Sequence, residues 1–263
     1  MSDFRYRIVD VFSDRPLQGN ALCVVLDPCP EALMQAIARE ANLSETTYPT
    51  VTGPGAYGVR IFTPSVELPF AGHPTLGTAW VLGPGQWTQS SPGATVAVEA
   101  DADGARVTQP EPAITAIDPA PAVAAAGLPG AAGVWVAEAG GMRHVVVATE
   151  APIDAIRPDL ALVASVTGAE RSMTFAVVRR RTDTELHVRV FVPSAGVDED
   201  PGTGSAAGPI GVIARSLWST GTALTIRQGA EVGRPCTIDV DVSGPAPIVG
   251  GRVAACAEGV FTL

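Results

Sequence analysis

The chain has 263 residues and a mass of 26.9 kDa, room for one large domain or two of about 130 residues. With 46% hydrophobic and 17% charged residues it lies outside the range of disordered chains, and its formal charge of −10 repels phosphate backbones and anionic lipid. Neither nucleic acid nor a membrane surface is therefore expected as a partner. All 17 basic residues are arginine, which removes the lysine Schiff base of pyridoxal phosphate enzymes and the lysine of a Walker phosphate loop.

Cys23, Cys29, Cys236 and Cys256 show no C-x-x-C spacing, and His73, His144 and His187 are far apart, so no metal site is expected. The segment MSDFRYRIVD has no apolar h-region and no apolar run reaches 18 residues, which points to a cytoplasmic protein with reduced thiols.

In chain order, Ile8-Val9 and Leu22-Cys23-Val24-Val25 flank a break at Pro16 and Gly19-Asn20 and read as a β-hairpin. Pro30 then opens Glu31–Ala41, where Leu33, Ile37 and Ala41 recur at helical spacing. Short strands are expected at 48–51, 58–62, 95–99 and 105–108, the last two around the turn Asp101-Ala102-Asp103-Gly104. Pro110, Pro112, Pro119 and Pro121 mark the boundary between a first lobe, 1–113, and a second, 114–263, whose last strand is free to return to the first. The second lobe begins with strands at 133–136 and 144–148.

The two halves look alike. Arg60-Ile61-Phe62-Thr63-Pro64-Ser65 returns 129 residues later as Arg189-Val190-Phe191-Val192-Pro193-Ser194. His73-Pro74-Thr75-Leu76-Gly77-Thr78-Ala79 is matched 127 residues later by Asp200-Pro201-Gly202-Thr203-Gly204-Ser205-Ala206, and Pro30-Glu31 and Pro158-Asp159, 128 apart, each open a helical pattern. Three nearly equal offsets indicate duplication; coincidence in an Ala/Gly/Pro-rich chain is the alternative. Two similar halves facing each other make a cleft, with His73 and Asp200 at matching places on opposite walls. Each precedes an apolar segment, Leu76–Leu82 and Ser205–Ala214, that reads as a buried helix whose N-terminus can hold a carboxylate without any lysine. Asp200 also reads as an ordinary N-cap before Pro201, whereas His73 is a poor one. Glu45 by itself reads as a surface residue, Arg179-Arg180-Arg181 as a solvated hairpin end, and Pro209 as a kink or a later helix start.

Read together, Asp10-Val11-Phe12 with Pro16-Leu17-Gln18-Gly19-Asn20, Asn42-Leu43-Ser44-Glu45-Thr46, Phe62-Thr63-Pro64 to Ala71-Gly72-His73-Pro74-Thr75-Leu76-Gly77, Asp200-Pro201-Gly202-Thr203-Gly204-Ser205-Ala206, and Gln228-Gly229 with Gly233-Arg234-Pro235 resemble the PhzF-like isomerases of the diaminopimelate epimerase-like fold. The resemblance implies an α+β fold of two pseudo-symmetric lobes, each a mixed β-sheet rolled around a central α-helix, and a homodimer. It makes Glu45 a proton shuttle, lets His73, Asp200 and Ser205 bind or help protonate the substrate, and makes Gly72 and Gly204 a carboxylate cradle, with Ser44 and Asn20 also in the substrate-binding set. Related epimerases and proline racemases place a thiol before each Gly-rich turn; Ala71 and Pro201 stand there in this chain, which disfavours a cysteine pair. The chain departs from the common pattern at Cys236, where serine is usual, and at Ala207-Gly208-Pro209.

The implied activity is cofactor-independent isomerisation, with no metal, of a small anionic substrate. That substrate is an unsaturated cyclic carboxylic or amino acid of secondary-metabolite biosynthesis, dihydro-hydroxyanthranilate-like or unsaturated proline-like. An amino-acid epimerase or racemase with carboxylate bases, or a catalytically idle binder of a small acid, are the alternatives.

Overall fold

Apolar residues alternate or run continuously in short stretches between turn residues along most of the chain, and in the computed structural model, which describes residues 2–170 and 172–263, they form strands wrapped around two helices. The first half runs β1 (Asp3–Val11), β2 (Asn20–Val25), α1 (Glu31–Ala41), β3 (Glu45–Gly53), β4 (Ala56–Phe62), β5 (Glu67–Leu68), α2 (Gly72–Leu82), β6 (Gly85–Ser90), β7 (Thr95–Ala100) and β8 (Gly104–Thr108). The second runs β9 (Ala113–Ala116), α3 (Pro119–Ala126), β10 (Gly133–Ala139), β11 (Met142–Thr149), α4 (Leu160–Val166), β12 (Met173–Arg180), β13 (Glu185–Val192), β14 (Val197–Asp200), α5 (Gly204–Trp218), β15 (Ala223–Gln228), β16 (Cys236–Asp241) and β17 (Ile248–Thr262). No helix among the described residues is long and apolar enough to cross a membrane.

The hairpin and α1 form where the pattern places them; Pro30 is the N-cap of α1, and Asn42 ends it in the left-handed conformation, φ 49°. The short β5, β6 and β9 carry little periodicity and exist through their neighbours. Among the described residues, β1 pairs β2 antiparallel, β2 pairs β3 parallel, β3 pairs β4 antiparallel, β4 pairs β6 parallel, and β6–β7 and β7–β8 are antiparallel. The second half repeats the order: β10–β11 antiparallel, β11–β12 parallel, β12–β13 antiparallel, β13–β15 parallel, β15–β16 and β16–β17 antiparallel. The fold is thus two pseudo-symmetric lobes of mixed sheet, one rolled around α2 and the other around α5. Each lobe also takes a strand next to the other: Ile248–Arg252 of β17 pairs β8, and Val253–Thr262 pairs β1, while β9, directly after β8, pairs β10.

Both central helices are apolar nearly all round because both are enclosed by strands. Residues 72–79 of α2 are all buried, and a Cβ on Gly77 would lie 2.6 Å from Leu22 and 2.8 Å from Val11, so only glycine lets β1 and β2 close on the helix. Pro209 is the sixth residue of α5, so the helix neither starts after it nor ends at it.

The repeated Arg-φ-Phe motif has a structural duty in each lobe. Arg60 donates twice to Glu67 at 2.7 Å and lies 5.3 Å from the Phe62 ring; Arg189 donates twice to Glu199 at 2.8 and 2.7 Å and lies 5.2 Å from Phe191. The second proposed match is corrected: His73 is the second residue of α2, whereas Asp200 ends β14, three residues before the N-cap Thr203 of α5. Pro74 sits inside a helical turn and Pro201 in a loop, so a shared Pro/Gly/Ala composition aligned residues that occupy different places in their elements.

The two Arg–Glu pairs differ in exposure, 6% and 11% for Arg189 and Glu199 against 31% and 32% for Arg60 and Glu67. Removing Arg189 strands a buried carboxylate, so Arg189→Ala should cost about 3–5 kcal/mol in urea unfolding. Arg60→Ala should cost about 1 kcal/mol, because water screens the exposed pair.

Candidate active site

The starts of α2 and α5 meet between the lobes. A Cβ on Gly72 would lie 2.5 Å from the Ser205 nitrogen and 2.6 Å from the Gly204 carbonyl carbon, and a Cβ on Gly204 would lie 3.0 Å from the His73 nitrogen. Glycine is required at Gly72, and a side chain at Gly204 would have to push the facing turn back, because backbone packs directly on backbone. Neither N-cap, Ala71 or Thr203, caps its helix with a side chain, so the first N–H groups of both helices are left for another acceptor. They border a cleft of about 540 Å³, mouth included, lined by Ser44, Glu45, Gly72, His73, Asp200, Gly204 and Ser205 among others.

Glu45 is the first residue of β3 and His73 lies in the first turn of α2; Glu45 Oε2 is 3.2 Å from His73 Nε2. The two atoms are not aligned for a hydrogen bond, and neither has another partner. Unmet buried polar atoms facing each other across a cleft are groups that a ligand would satisfy. Below them, Asn20 Nδ2 donates to Asp200 Oδ1 and to the Gly202 carbonyl, both at 2.9 Å, and lies 3.3 Å from His73 Nδ1. Two neighbours that can only accept fix the orientation of the Asn20 amide. Asp200 Oδ2 accepts from Thr203 Oγ1, which in turn accepts from Gln228 Nε2 at 2.9 Å. Gln228 Nε2 also donates to the Asp200 carbonyl at 2.8 Å.

Burial pushes the Glu45 carboxyl well above the usual carboxylate range, and the charge of Asp200 adds to the rise. Burial raises Asp200 as well, against the hydrogen bonds from Thr203 and Asn20. The same desolvation drives the His73 imidazole down to about 3, so the ring beside Glu45 is neutral. The site therefore holds two carboxyls raised above the usual carboxylate range, a neutral imidazole and two dipole ends.

Glu45, read from its neighbours as a surface residue, has a side chain only 14% exposed, because the chain turns at Leu43-Ser44 and drives β3 into the sheet beside β2. The structure brings Ser44, Glu45, Gly72, His73, Asp200, Gly204 and Ser205 to one cleft. Asn20 does not face it: this side chain is wholly buried and links Asp200 to the neighbourhood of His73. Met142 and Thr174 also line the cleft and escaped sequence reading, since a single threonine or methionine carries no spacing signal, and Thr63 and Thr203, which line it too, lay within recognised motifs without a role. Gln228, which anchors Asp200 from below, lay within a recognised motif without a role.

Ala71 lines the cleft where a thiol would be needed for two-thiol chemistry. Cys23 and Cys236 are buried, and burial pushes the first thiol up to about 12 and raises the second, so both pack as small apolar groups. Cys29 and Cys256 are half-buried. Arg179 and Arg180 are half-buried and only Arg181 of that run is exposed, because the first two still belong to β12. Away from the cleft, Asp154, His187 and Glu231 bring one potential metal ligand each within 4.8 Å of one another. The Arg181 guanidinium, 3.5 Å from His187 Nδ1 and 3.7 Å from Asp154, already supplies positive charge there.

Residues 9–259 match the model of the PhzC-PhzF family of phenazine biosynthesis-like proteins. The chain is 37% identical to the trans-2,3-dihydro-3-hydroxyanthranilate isomerase of Pseudomonas aeruginosa over 97% of this chain and 98% of that one. It is 36% identical to the protein of the same name from Pseudomonas fluorescens, over 92% and 91%. Among solved structures it superposes on a predicted epimerase from Pseudomonas aeruginosa with a TM-score of 0.84 and 29% identity, covering 99% of both chains. It also superposes on a hydroxyproline epimerase from Agrobacterium vitis with a TM-score of 0.63, covering 98% and 92%; at 12% identity that likeness is one of fold alone.

The raised carboxyl has a cost in stability with a definite sign. In the unfolded chain a glutamate ionises near pH 4.3, whereas folded Glu45 resists ionisation, so stability falls as pH rises from that value through the folded pKa. Glu45→Gln removes this loss and should raise Tm by about 2–4 °C at pH 7 for each kcal/mol relieved, with the gain shrinking toward pH 5. His73 runs the other way: its depressed pKa withdraws stability as pH falls from about 6.5 to about 3. Thermal melts of wild type and variant across this range read both effects.

Proposed function

Because the chain belongs to the phenazine biosynthesis-like family and is an isomerase, we propose that it shifts a carbon–carbon double bond of a small unsaturated cyclic carboxylic or amino acid by moving one proton, without a cofactor. Trans-2,3-dihydro-3-hydroxyanthranilate, named for the relatives above, is the leading candidate substrate, and an unsaturated proline-like acid the other. The observation that carries this reading is a buried carboxyl of raised pKa, Glu45, beside a neutral imidazole and two uncapped helix starts in one cleft.

In this reading the substrate carboxylate lies on the N–H groups at Gly72, His73, Gly204 and Ser205, with the Ser205 hydroxyl beside them. Ionised Glu45 breaks a C–H bond next to the unsaturated system. The electron pair flows into the conjugated carboxylate, where the helix ends offset the developing charge. The carbon–carbon double bond then forms at its new position as Glu45 returns the proton to another carbon, so no oxidant, reductant or hydrolytic water enters the balance. Neutral His73, with Nε2 facing Glu45, and Asp200, fixed by Asn20 and Thr203, hold the polar substituents and keep the reacting carbon within reach. The reading includes action in the cytoplasm and a homodimer; light scattering should give twice the chain mass.

Glu45→Gln should lower kcat on trans-2,3-dihydro-3-hydroxyanthranilate by about 10³-fold while the variant stays folded. The wild-type kcat/KM should rise with pH through a limb above the ordinary glutamate value of about 4.3. In deuterated solvent the label should enter the carbon that becomes saturated. Wild-type turnover by Glu45→Gln, or label at an α-carbon with inversion, would replace this reading with another.

A further inference from the structure

The strand that carries Glu45 has a counterpart whose corresponding residue also enters the cleft. Thr46 stands opposite Phe62 in the β3–β4 pair, and Phe175 opposite Phe191 in the β12–β13 pair. Phe62 and Phe191 are the same residue of the repeated Arg-φ-Phe motif, so Thr46 corresponds to Phe175 and Glu45 to Thr174. The parallel neighbours agree: Leu22 lies beside Glu45, and His144 beside Thr174. Thr174 lines the same cleft as Glu45. In place of a second acid, the second lobe presents a hydroxyl.

That hydroxyl is anchored. His144 is fully buried, and its Nδ1 lies 2.8 Å from Thr174 Oγ1. Its Nε2 has no hydrogen-bond partner, and burial drives the imidazole down to about 4, against the backbone of Ser205 beside it. The Ser205 carbonyl lacks its helical donor, because the residue four positions on is Pro209. A neutral ring that carries its one proton on Nε2 leaves a lone pair on Nδ1, the nitrogen beside Thr174. The Thr174 proton then goes to Nδ1, and Oγ1 is left able only to accept.

We propose that Thr174, oriented by His144, is the substrate-contacting group of the second lobe, and that it accepts a hydrogen bond from an amino or hydroxyl substituent rather than holding the carboxylate. The proposal rests on the reading of the cleft as a site for small unsaturated cyclic acids. His144 acts through Thr174 and is a positioning residue, and Pro209 contributes by leaving the Ser205 carbonyl free.

Two probes separate the substituents from the carboxylate: 3-hydroxyanthranilate carries both kinds of group, and benzoate the carboxylate alone. In calorimetric titrations Thr174→Val should weaken 3-hydroxyanthranilate about tenfold and leave benzoate within about twofold. Thr174→Ser should restore the lost affinity, and His144→Phe should reproduce the selective loss. The ¹⁵N chemical shifts of the His144 ring in the unmutated protein should report the proton on Nε2, a measurement that needs no variant to fold. Equal weakening of both probes, unchanged affinity for both, or a proton on Nδ1 overturns the role of Thr174 and leaves the reading of the cleft standing. A wild type that binds neither probe overturns that reading, and this proposal with it.

Discussion

Direct backbone contact between the first turns of α2 and α5 is the constraint on which the site depends. A side chain at Gly72 or Gly204 would drive the two helix starts apart. Held together, they bring the uncapped N–H groups and the positive ends of two dipoles to one place. In the proposed reading this gives an acidic, lysine-free protein a place for an anion without a cationic side chain: among the described residues, no arginine lines the cleft.

The use of dipoles in place of full charges matters for Glu45. A guanidinium beside this carboxyl would favour its ionised form and hold its pKa low. Dipoles and a neutral imidazole leave desolvation in control, and desolvation raises it. Asn20 makes the arrangement rigid: its amide reaches from β2 to Asp200 and Gly202, tying strands of the first lobe to the loop that delivers α5. Its worth lies in that link across the lobes, although it never meets the cleft.

Duplication explains the scaffold better than the chemistry. The two lobes share their order of strand pairings and their Arg–Glu clamps, because these close a sheet around a helix and each lobe must do so. Where the lobes face the cleft they diverge, with Glu45 on one β-strand and Thr174 at the corresponding place on the other. Packing constrains the first kind of residue in both halves alike and leaves the second kind free to differ.

Much of this was legible along the chain. The hairpin, α1 and the two apolar helices follow from local spacing, since period and turn residues act over a few positions, and the repeated Arg-φ-Phe motif marks the duplication. The α+β fold and the cluster of Glu45, His73, Asp200 and Ser205 entered through motifs shared with a family. Tertiary structure alone decided that Glu45 is enclosed, that Asn20 supports the site from outside the cleft, that His73 and Asp200 occupy unlike places in their elements, and that Thr174 and His144 belong to the same cleft. These depend on groups far apart in sequence meeting in space, as Asn20 and Asp200 do across 180 residues. Burial, pKa and hydrogen-bond partners are properties of that meeting, and no local stretch of sequence contains them.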